Sequence, residues 1–335
     1  MRTLLSHAPG PPETLVLEDR PDPVPGPGQV LVRVAAAAVN FPDALIIEDK
    51  YQVRPERPFA PGAEAAGVVE ALGEGVTDVA VGERVIAFTS WGGMAEKLAL
   101  PASRVIRMPD EMPFDEGASL IMTYGTSIYG LKDRGQLKAG ETVLVLGAAG
   151  GVGLAAVELA RAMDARVIAA VSSADKAEAA KAAGADAAVI YPRGPFDKDG
   201  QKALSALFKD ACGEGGPNVI YDPVGGDYAE AALRAIAWEG RFLVVGFPAG
   251  IPRLPLNLVL LKGCQVVGVA WGAAAFRDPP AHARNVKLLL DLYRQGKIRP
   301  RISERFPLER AAEAITRLAA REAVGKIVVM MDGAA

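Results

Sequence analysis

A glycine-rich turn carries the clearest chemical signal in this sequence. It reads Gly147-Ala148-Ala149-Gly150-Gly151-Val152-Gly153, close to the dinucleotide fingerprint G-x-G-x-x-G but with alanine at the first motif position, Ala148. The apolar run Val143 to Leu146 before it suits a buried parallel strand, and small residues after it predict a helix. Glycines let backbone N–H groups approach a pyrophosphate at a helix N-terminus, so Gly150, Gly151 and Val152 are predicted cofactor contacts. A tight turn without a ligand is the alternative.

The residues after the next predicted strand, Arg166 to Val171, select the nucleotide. An NAD site usually places Asp or Glu ~20 residues beyond the glycines, where it binds the ribose hydroxyls. Here that position holds Ser172 and Ser173, followed by Lys176. Hydroxyls and an ammonium can receive a 2′-phosphate that a carboxylate would repel, so these residues favour NADP. Asp175 argues the other way, and capping of the next helix is the alternative role for the serines.

Composition describes an intracellular enzyme rather than a nucleic-acid or membrane protein. The chain has 335 residues with 37 basic and 40 acidic side chains, a formal net charge of −3 that argues against a phosphate-tracking surface. Two cysteines are too few for a disulfide framework. The N-terminus lacks the apolar core of a signal peptide, and the longest uncharged stretch, Thr142 to Val157, is too short to span a bilayer. A cytoplasmic protein is predicted.

The pattern of elements predicts an α/β protein of two domains. Before residue 124, short β-rich runs alternate with Pro- and Gly-rich turns and suggest a small antiparallel barrel; after it, strands and helices alternate as in a doubly wound parallel sheet. Phe276 to Pro280 is interpreted as a linker. The predicted strands are 29–39, 66–72, 84–88, 97–100, 142–146, 166–171, 187–191, 218–222, 241–245, 265–269 and 326–330, and the predicted helices are 151–163, 174–183, 201–212, 227–238 and 282–295.

Several motifs together resemble the zeta-crystallin-like quinone oxidoreductase branch of the medium-chain dehydrogenase/reductase superfamily, over nearly the whole chain. The resemblance implies a GroES-like β-barrel catalytic domain (1–123 and 271–335), a Rossmann cofactor domain (124–270), a cleft where they meet, and dimers formed through the last cofactor-domain strand. The motifs are Val39-Asn40-Phe41-Pro42-Asp43 with Tyr51, Pro61-Gly62-Ala63-Glu64 with Gly67, Val81-Gly82-Glu83-Arg84-Val85, the glycine turn, Asp222-Pro223-Val224-Gly225-Gly226, and Lys262 through Trp271.

The resemblance also indicates chemistry without zinc. Zinc-dependent members of the superfamily place cysteine where this chain has Asn40 and histidine where it has Ala63. Without these ligands Glu64 is expected to form structural hydrogen bonds. Quinones and α,β-unsaturated carbonyls accept hydride without a Lewis acid, because the incoming charge delocalises and neutral donors suffice. Asn40 and Tyr51 are the predicted catalytic donors, with Asp43 included in the site to fix their loop. The alternatives are that Asn40 holds a loop and that Tyr51 only packs.

Further cofactor contacts are implied by the resemblance. One residue matches a threonine near the nicotinamide, and three match residues around the 2′-phosphate. Four more lie at carboxyl ends of strands, where open α/β sheets bind ligands; for the two aromatic ones, Phe247 and Trp271, ordinary core packing is the alternative. These contacts are Thr126, then Lys176, Tyr191 and Arg321, then Gly246, Phe247, Val269 and Trp271.

The sequence therefore predicts an NADPH-dependent, zinc-free reductase of a quinone or activated alkene. Leu45 stands where many quinone-reducing relatives have a second tyrosine, which weakens the assignment to quinones. An enoyl-thioester or enal reductase is the nearest alternative, in which Arg54 and Arg57 would meet a phosphorylated carrier. The alternative of another class is a crystallin-like or RNA-binding protein that holds the cofactor without turnover.

Overall fold

A computed structural model describes residues 1–331. The chain forms two compact units, Met1–Met122 together with the chain from Pro300 onward, and Thr123–Arg299. In the described residues, no helix is long and apolar enough to cross a membrane. The cytoplasmic location stays a prediction.

The first unit is built around a seven-stranded sheet of order β14-β15-β3-β4-β5-β7, with β6 also pairing with β3. Only the β14–β15 pair is parallel. Its alternating apolar residues bury one core together with α1 and α11. The elements are β1 (Arg2–Leu5), β2 (Val16–Asp19), β3 (Gln29–Ala38), α1 (Phe41–Ile46), β4 (Glu64–Leu72), β5 (Arg84–Phe88), β6 (Lys97–Pro101), β7 (Val105–Arg107), α2 (Phe114–Gly117), β14 (Ile302–Pro307), α11 (Ala311–Ala319) and β15 (Lys326–Met330).

The second unit contains a six-stranded parallel sheet of order β10-β9-β8-β11-β12-β13, the doubly wound arrangement that the sequence predicts. The strand order reverses beside β8, so the glycine turn after β8 lies at the switch point where such sheets bind ligands. The elements, including α3, which begins just before the boundary, are α3 (Ile121–Ile128), β8 (Thr142–Leu146), α4 (Gly151–Ala162), β9 (Arg166–Val171), α5 (Ala174–Ala182), β10 (Ala187–Ile190), α6 (Lys198–Cys212), β11 (Val219–Asp222), α7 (Asp227–Ala235), β12 (Arg241–Val244), α8 (Leu256–Lys262), β13 (Gln265–Gly268), α9 (Trp271–Arg277) and α10 (Pro279–Arg294).

The linker predicted at Phe276 to Pro280 is wrong. Phe276 lies within α9. Both prolines lie in the first turn of α10, where the missing N–H has no helical partner to lose. Asp278 separates the helices and accepts a hydrogen bond from the Ala281 N–H at 3.0 Å, as an N-cap does. The proline pair therefore starts a helix.

The second domain boundary also differs from the predicted one. Residues 271–299 belong to the second unit, which ends at Arg299 and not at residue 270. Asn285 on α10 explains this, because its side chain donates to the Asp133 carboxylate at 2.6 Å and accepts from the Lys132 ammonium at 3.0 Å. Trp271 on α9 packs against Gly125, where an added Cβ would lie 2.6 Å from the indole.

Candidate active site

Three strands of the first unit bring together a buried polar cluster of Asn40, Glu64 and Lys326. Asn40 follows β3, while Glu64 and Lys326 begin β4 and β15, the two neighbours of β3 at that end. The Lys326 ammonium donates to Asn40 Oδ1 at 2.7 Å and to Glu64 Oε1 at 3.0 Å. Exposure is 7% for Asn40, 0% for Glu64 and 4% for Lys326. Two opposite charges are thus held together out of water.

Every polar side-chain atom of the two charged groups in this cluster has hydrogen-bond partners. Lys326 makes a third donation to the Val39 carbonyl at 3.2 Å. Glu64 accepts from the Asn40 amide at 3.0 Å and, through its second oxygen, from the Met122 N–H at 2.8 Å. Such completion is what a buried ion pair needs to offset its desolvation. Glu64 thus forms hydrogen bonds of the kind expected for it. Within residues 1–331 no group of three or more His, Cys, Asp or Glu side chains is arranged to hold a metal.

Both amide hydrogens of Asn40 are already used in hydrogen bonds. One points to Glu64 and the other to the Ala38 carbonyl at 3.3 Å. An acceptor oxygen would have to displace one of these bonds. The contacts therefore favour a positioning role, and its role as an oxyanion donor stays a prediction.

Asp43 ties the Asn40 loop to a second loop. One carboxylate oxygen accepts the Asn40 N–H at 2.7 Å and the other accepts the Gly62 N–H at 2.9 Å. Burial raises the pKa of Asp43 to about 6, although both hydrogen bonds work against the rise. With both oxygens committed to backbone groups, the geometry supports the loop-fixing role expected for Asp43.

Tyr51 lies shortly after α1 and packs, half-buried, against the core of the first unit. Its burial, and next the charge of Asp43, raise the pKa of the phenol above its usual value. The hydroxyl is therefore protonated at neutral pH and able to donate. Arg57, in the loop that follows, is engaged within the unit by an ion pair with Asp49 at 2.9 Å and a hydrogen bond to the Ile47 carbonyl at 3.0 Å.

The glycine turn of the second unit has the geometry of a phosphate-binding loop. Helix α4 begins at Gly151, directly after Gly150, so Gly151 and Val152 lie in its first turn, where backbone N–H groups lack helical partners. Gly147 adopts φ +57°, and a Cβ on Gly153 would lie only 2.3 Å from the Gly147 carbonyl oxygen. The third glycine of the motif is therefore required for the helix to pack this close to the strand.

The residues predicted to select NADP come together where β9 and β10 end. Tyr191 directly follows β10, and its N–H donates to the Val171 carbonyl at 2.9 Å, one residue before Ser172. Lys176 lies one helical turn from Ser172, with 3.4 Å between its ammonium and the serine hydroxyl. Ser173 precedes α5 but makes no capping bond with its side chain; it hydrogen-bonds Asp175 and lowers the pKa of that carboxyl.

The remaining predicted cofactor residues are more scattered. Phe247 is 43% exposed after β12 and next to Gly246, which argues against core packing for this ring. Trp271 is 5% exposed and packs against Gly125, the residue before Thr126. Core packing therefore describes this ring. Val269 is buried after β13. Arg321 belongs to the first unit, whereas Lys176 and Tyr191, the other residues matched to the 2′-phosphate, belong to the second.

Sequence reasoning missed Lys326, which is buried, and Glu158, which is partly buried. Lys326 is the first; its only local signal is a lysine opening an otherwise apolar strand. Glu158 on α4 is the second, accepting from the Tyr124 hydroxyl at 2.6 Å and the Arg299 N–H at 2.9 Å. Burial raises the pKa of Glu158 to about 7 against both hydrogen bonds. The available signal for Glu158 was a single carboxylate within an otherwise apolar run of the helix.

Comparison with known proteins matches both units. An alcohol dehydrogenase GroES-like domain model matches residues 26–110, and a zinc-binding dehydrogenase model matches residues 151–286. Bovine quinone oxidoreductase-like protein 2 is 38% identical over 95% of this chain and 89% of its own length. The structure of mycobacterial Rv1454c complexed with NADPH has a TM-score of 0.90 at 31% identity, covering 98% of this chain and 99% of that one. The CurK enoyl reductase has a TM-score of 0.85 at 25% identity, with the same coverage.

A GroES-like unit joined to a doubly wound nucleotide-binding unit defines a medium-chain dehydrogenase/reductase, which confirms the predicted fold class. The protein is an oxidoreductase of this superfamily. Within it, the chain belongs to the quinone oxidoreductase family.

Proposed function

We propose that the protein is an NADPH-dependent reductase that transfers hydride, without a metal ion, to a quinone or a related activated alkene. A metal-free mechanism is supported by the position of the Lys326 ammonium, which lies 3.0 Å from Glu64 Oε1 and 2.7 Å from Asn40 Oδ1. A dication at these oxygens would have to displace a buried ammonium that already satisfies them. The likeness to quinone oxidoreductase-like protein 2 supports the quinone as acceptor.

When bound, NADPH supplies the hydride from its nicotinamide ring. The chain's own residues hold the nucleotide and stabilise the negative charge that develops on the acceptor oxygen during the transfer. Gly151 and Val152 offer N–H groups to the pyrophosphate, and Ser172 and Lys176 offer donors to the 2′-phosphate. Tyr51 donates a hydrogen bond from its phenolic hydroxyl to the acceptor oxygen and keeps its proton. A neutral donor suffices because a quinone or enone spreads the added charge.

Tyr51→Phe tests this donor. The variant keeps the ring and its packing, so the effect should fall on kcat. Removal of one preorganised donor costs up to ~10²–10³ in kcat. A delocalised quinone needs less help, so we expect a loss of roughly tenfold with a quinone and a larger one with an enone, whose enolate concentrates charge on one oxygen. Steady-state kinetics with both acceptors measures this; unchanged kcat with a raised KM would make Tyr51 a pocket wall.

Lys176→Ala tests the choice of nucleotide. Loss of a charge-assisted hydrogen bond to the 2′-phosphate should weaken NADPH binding by ~1–3 kcal/mol. NADH lacks this phosphate, so its binding should change little. Calorimetric titration with each nucleotide provides the comparison, with Lys181→Ala on the exposed side of the same helix as the matched control. Equal losses for NADPH and NADH would assign Lys176 to the fold.

A second candidate function is reduction of an enoyl thioester, favoured by the likeness to the CurK enoyl reductase. Oxidation of NADPH with quinones, enones and enoyl thioesters, measured before and after prolonged chelation, separates the candidates. Turnover of quinones that survives chelation is the expected result. Preference for enoyl thioesters would support the second candidate, and loss of activity with about one zinc per chain would overturn the metal-free mechanism. A cofactor-binding protein without turnover would oxidise NADPH with none of these acceptors.

We also propose a homodimer formed through β13. This strand is the edge of the parallel sheet, and within residues 1–331 its far side pairs with no other strand. Near it in sequence, α8 exposes Leu256 at 75%, Leu260 at 80% and Leu261 at 68%. Exposed apolar side chains beside an open strand edge are typical of an interface. Leu260→Asp should shift the sedimenting species from two chains to one; a monomeric wild type would contradict the proposal.

A further inference from the structure

Two hydroxyl groups form a hydrogen-bonded chain through the interior of the second unit, from β11 to the first turn of α4. Tyr221 on β11 and Ser127 on α3 are both 0% exposed, and their hydroxyl oxygens lie 2.9 Å apart. The Ser127 hydroxyl also donates to the Val152 carbonyl at 3.1 Å. Val152 belongs to the first turn of α4, directly after the glycine turn. A side chain of α3 is therefore bonded directly to the predicted phosphate-binding loop.

The direction of this hydroxyl chain follows from its last member. A carbonyl can only accept, so the single hydrogen of Ser127 is used on Val152, and Tyr221 must donate to Ser127. Burial raises the pKa of the Tyr221 phenol above its usual value, although the Ser127 hydroxyl works against the rise. The phenol is therefore protonated at neutral pH and able to donate. Successive hydrogen bonds that run in one direction polarise one another, so the two bonds act as a unit.

The Tyr221 end of the hydroxyl chain is rigid. Its backbone is paired on both sides, with Val145 of β8 and Leu243 of β12 beside it in the sheet. Its ring packs closely on Gly130, where a Cβ would lie 3.1 Å from Tyr221 Cε2 and 3.3 Å from Val269 Cγ1. The phenol is thus carried by the centre of the sheet, and the other end of the chain is the helix that begins at the glycine turn.

The hydroxyl chain lies where the strand order of the sheet reverses, between β8 and β11. Open α/β sheets bind a dinucleotide across the crevice at this point. Ser172 and Lys176, proposed to bind the 2′-phosphate, follow β9 on one side of β8. The nicotinamide half of a cofactor that crosses the crevice therefore lies toward β11, with the pyrophosphate at α4 between the two halves. The hydroxyl chain joins the elements that would hold the pyrophosphate and the nicotinamide half.

We propose that Tyr221 and Ser127 are positioning residues that fix the first turn of α4 relative to β11, so that the pyrophosphate and the nicotinamide half of NADPH are held at the same time. This deepens the proposed function and rests on it. Without the hydroxyl chain, the first turn of α4 still offers its N–H groups to a pyrophosphate. The nicotinamide half then loses its fixed distance from that anchor. The loss falls on the part of the affinity that needs both contacts at once.

A comparison of two ligands tests the positioning role. 2′-Phospho-ADP-ribose keeps the 2′-phosphate and the pyrophosphate of NADPH but lacks the nicotinamide. Tyr221→Phe keeps the ring and its packing on Gly130. It should weaken NADPH binding roughly 5- to 10-fold, the equivalent of one buried hydrogen bond, and leave the affinity for 2′-phospho-ADP-ribose within about twofold. Titration calorimetry measures both. Equal losses for the two ligands, or no loss for NADPH, would overturn the proposal.

Tyr124→Phe is the matched control, because it also removes a tyrosine hydrogen bond between α3 and α4, here to Glu158 further along the helix. It should change the ratio of the two affinities by less than about twofold. A change as large as that of Tyr221→Phe would assign the effect to general loosening of α3 and refute a specific role for the hydroxyl chain.

A double variant tests whether the two hydroxyls act through each other. Ser127→Ala should shift the affinity ratio in the same direction as Tyr221→Phe, and the double variant should shift it no further than Ser127→Ala alone, because Tyr221 reaches α4 only through Ser127. Additive shifts would contradict the chain. Tyr221→Phe alone decides the proposal if Ser127→Ala does not fold. If the ratio shifts as expected but NADPH reduces no acceptor, the proposed function fails and the positioning role stands.

Discussion

Replacement of Lys326 by methionine should destabilise the protein by about 3–5 kcal/mol, the cost of removing one partner of a buried ion pair. Methionine fills much the same volume but leaves the Glu64 carboxylate, which is fully buried, without its countercharge. The Asn40 Oδ1 atom loses a charged donor at the same time. Urea unfolding followed by circular dichroism gives the change in free energy of unfolding.

The double variant Glu64→Gln with Lys326→Met separates the charge from the packing. It replaces the ion pair by neutral groups of similar size, and such replacements are often neutral or stabilising. We expect the double variant to recover most of the loss seen in Lys326→Met. A single variant within about 1 kcal/mol of the wild type would show that the pair is not held in a water-free site. A double variant as unstable as the single one would assign the cost to lost packing.

Gly153→Ala should weaken cofactor binding about 30-fold. The added methyl group would lie 2.3 Å from the Gly147 carbonyl oxygen and 2.8 Å from the Ala148 Cα, both rigid backbone atoms. Helix α4 must then move away from the turn, and its first N–H groups move with it. Overpacking of this kind costs ~1–3 kcal/mol of stability. A displacement of the phosphate-binding amides that costs ~2 kcal/mol lowers nucleotide affinity about 30-fold, measurable by titration calorimetry.

Gly150→Ala is the matched control for this glycine. Gly150 has φ −75°, and a Cβ there would meet only the Gly147 carbonyl oxygen at 3.5 Å, an ordinary contact. Gly150→Ala should therefore keep the melting temperature of the wild type while Gly153→Ala lowers it. NADPH binding by Gly150→Ala then reports direct contact between this residue and the cofactor. If Gly153→Ala binds NADPH as well as the wild type does, the turn is not the phosphate site.

The contrast between the two units shows what local sequence can predict. The strands of the parallel sheet were predicted to within one residue at each end, for example 142–146 and 166–171, because each is a continuous apolar run bounded by glycines or polar residues. The glycine turn was equally visible, since its function depends on residues that are adjacent in the chain. Prolines 279 and 280 misled the prediction because the same dipeptide can end a segment or begin a helix.

The candidate site in the first unit depends on contacts that no local pattern encodes. Asn40 and Lys326 are 286 positions apart in the chain and meet because β3 lies between β4 and β15 in the sheet. The sequence by itself determined the two-domain architecture and the glycine turn, and it predicts the residue types that bind the nucleotide, since these follow from short-range periodicity and motif spacing. Only the tertiary structure decided that Lys326 neutralises Glu64, that Asn40 uses its amide hydrogens in bonds to Glu64 and Ala38, and that Asp43 joins two loops. Ion pairs and hydrogen bonds between distant segments are fixed by strand order and register, and these are set by the packing of the whole sheet.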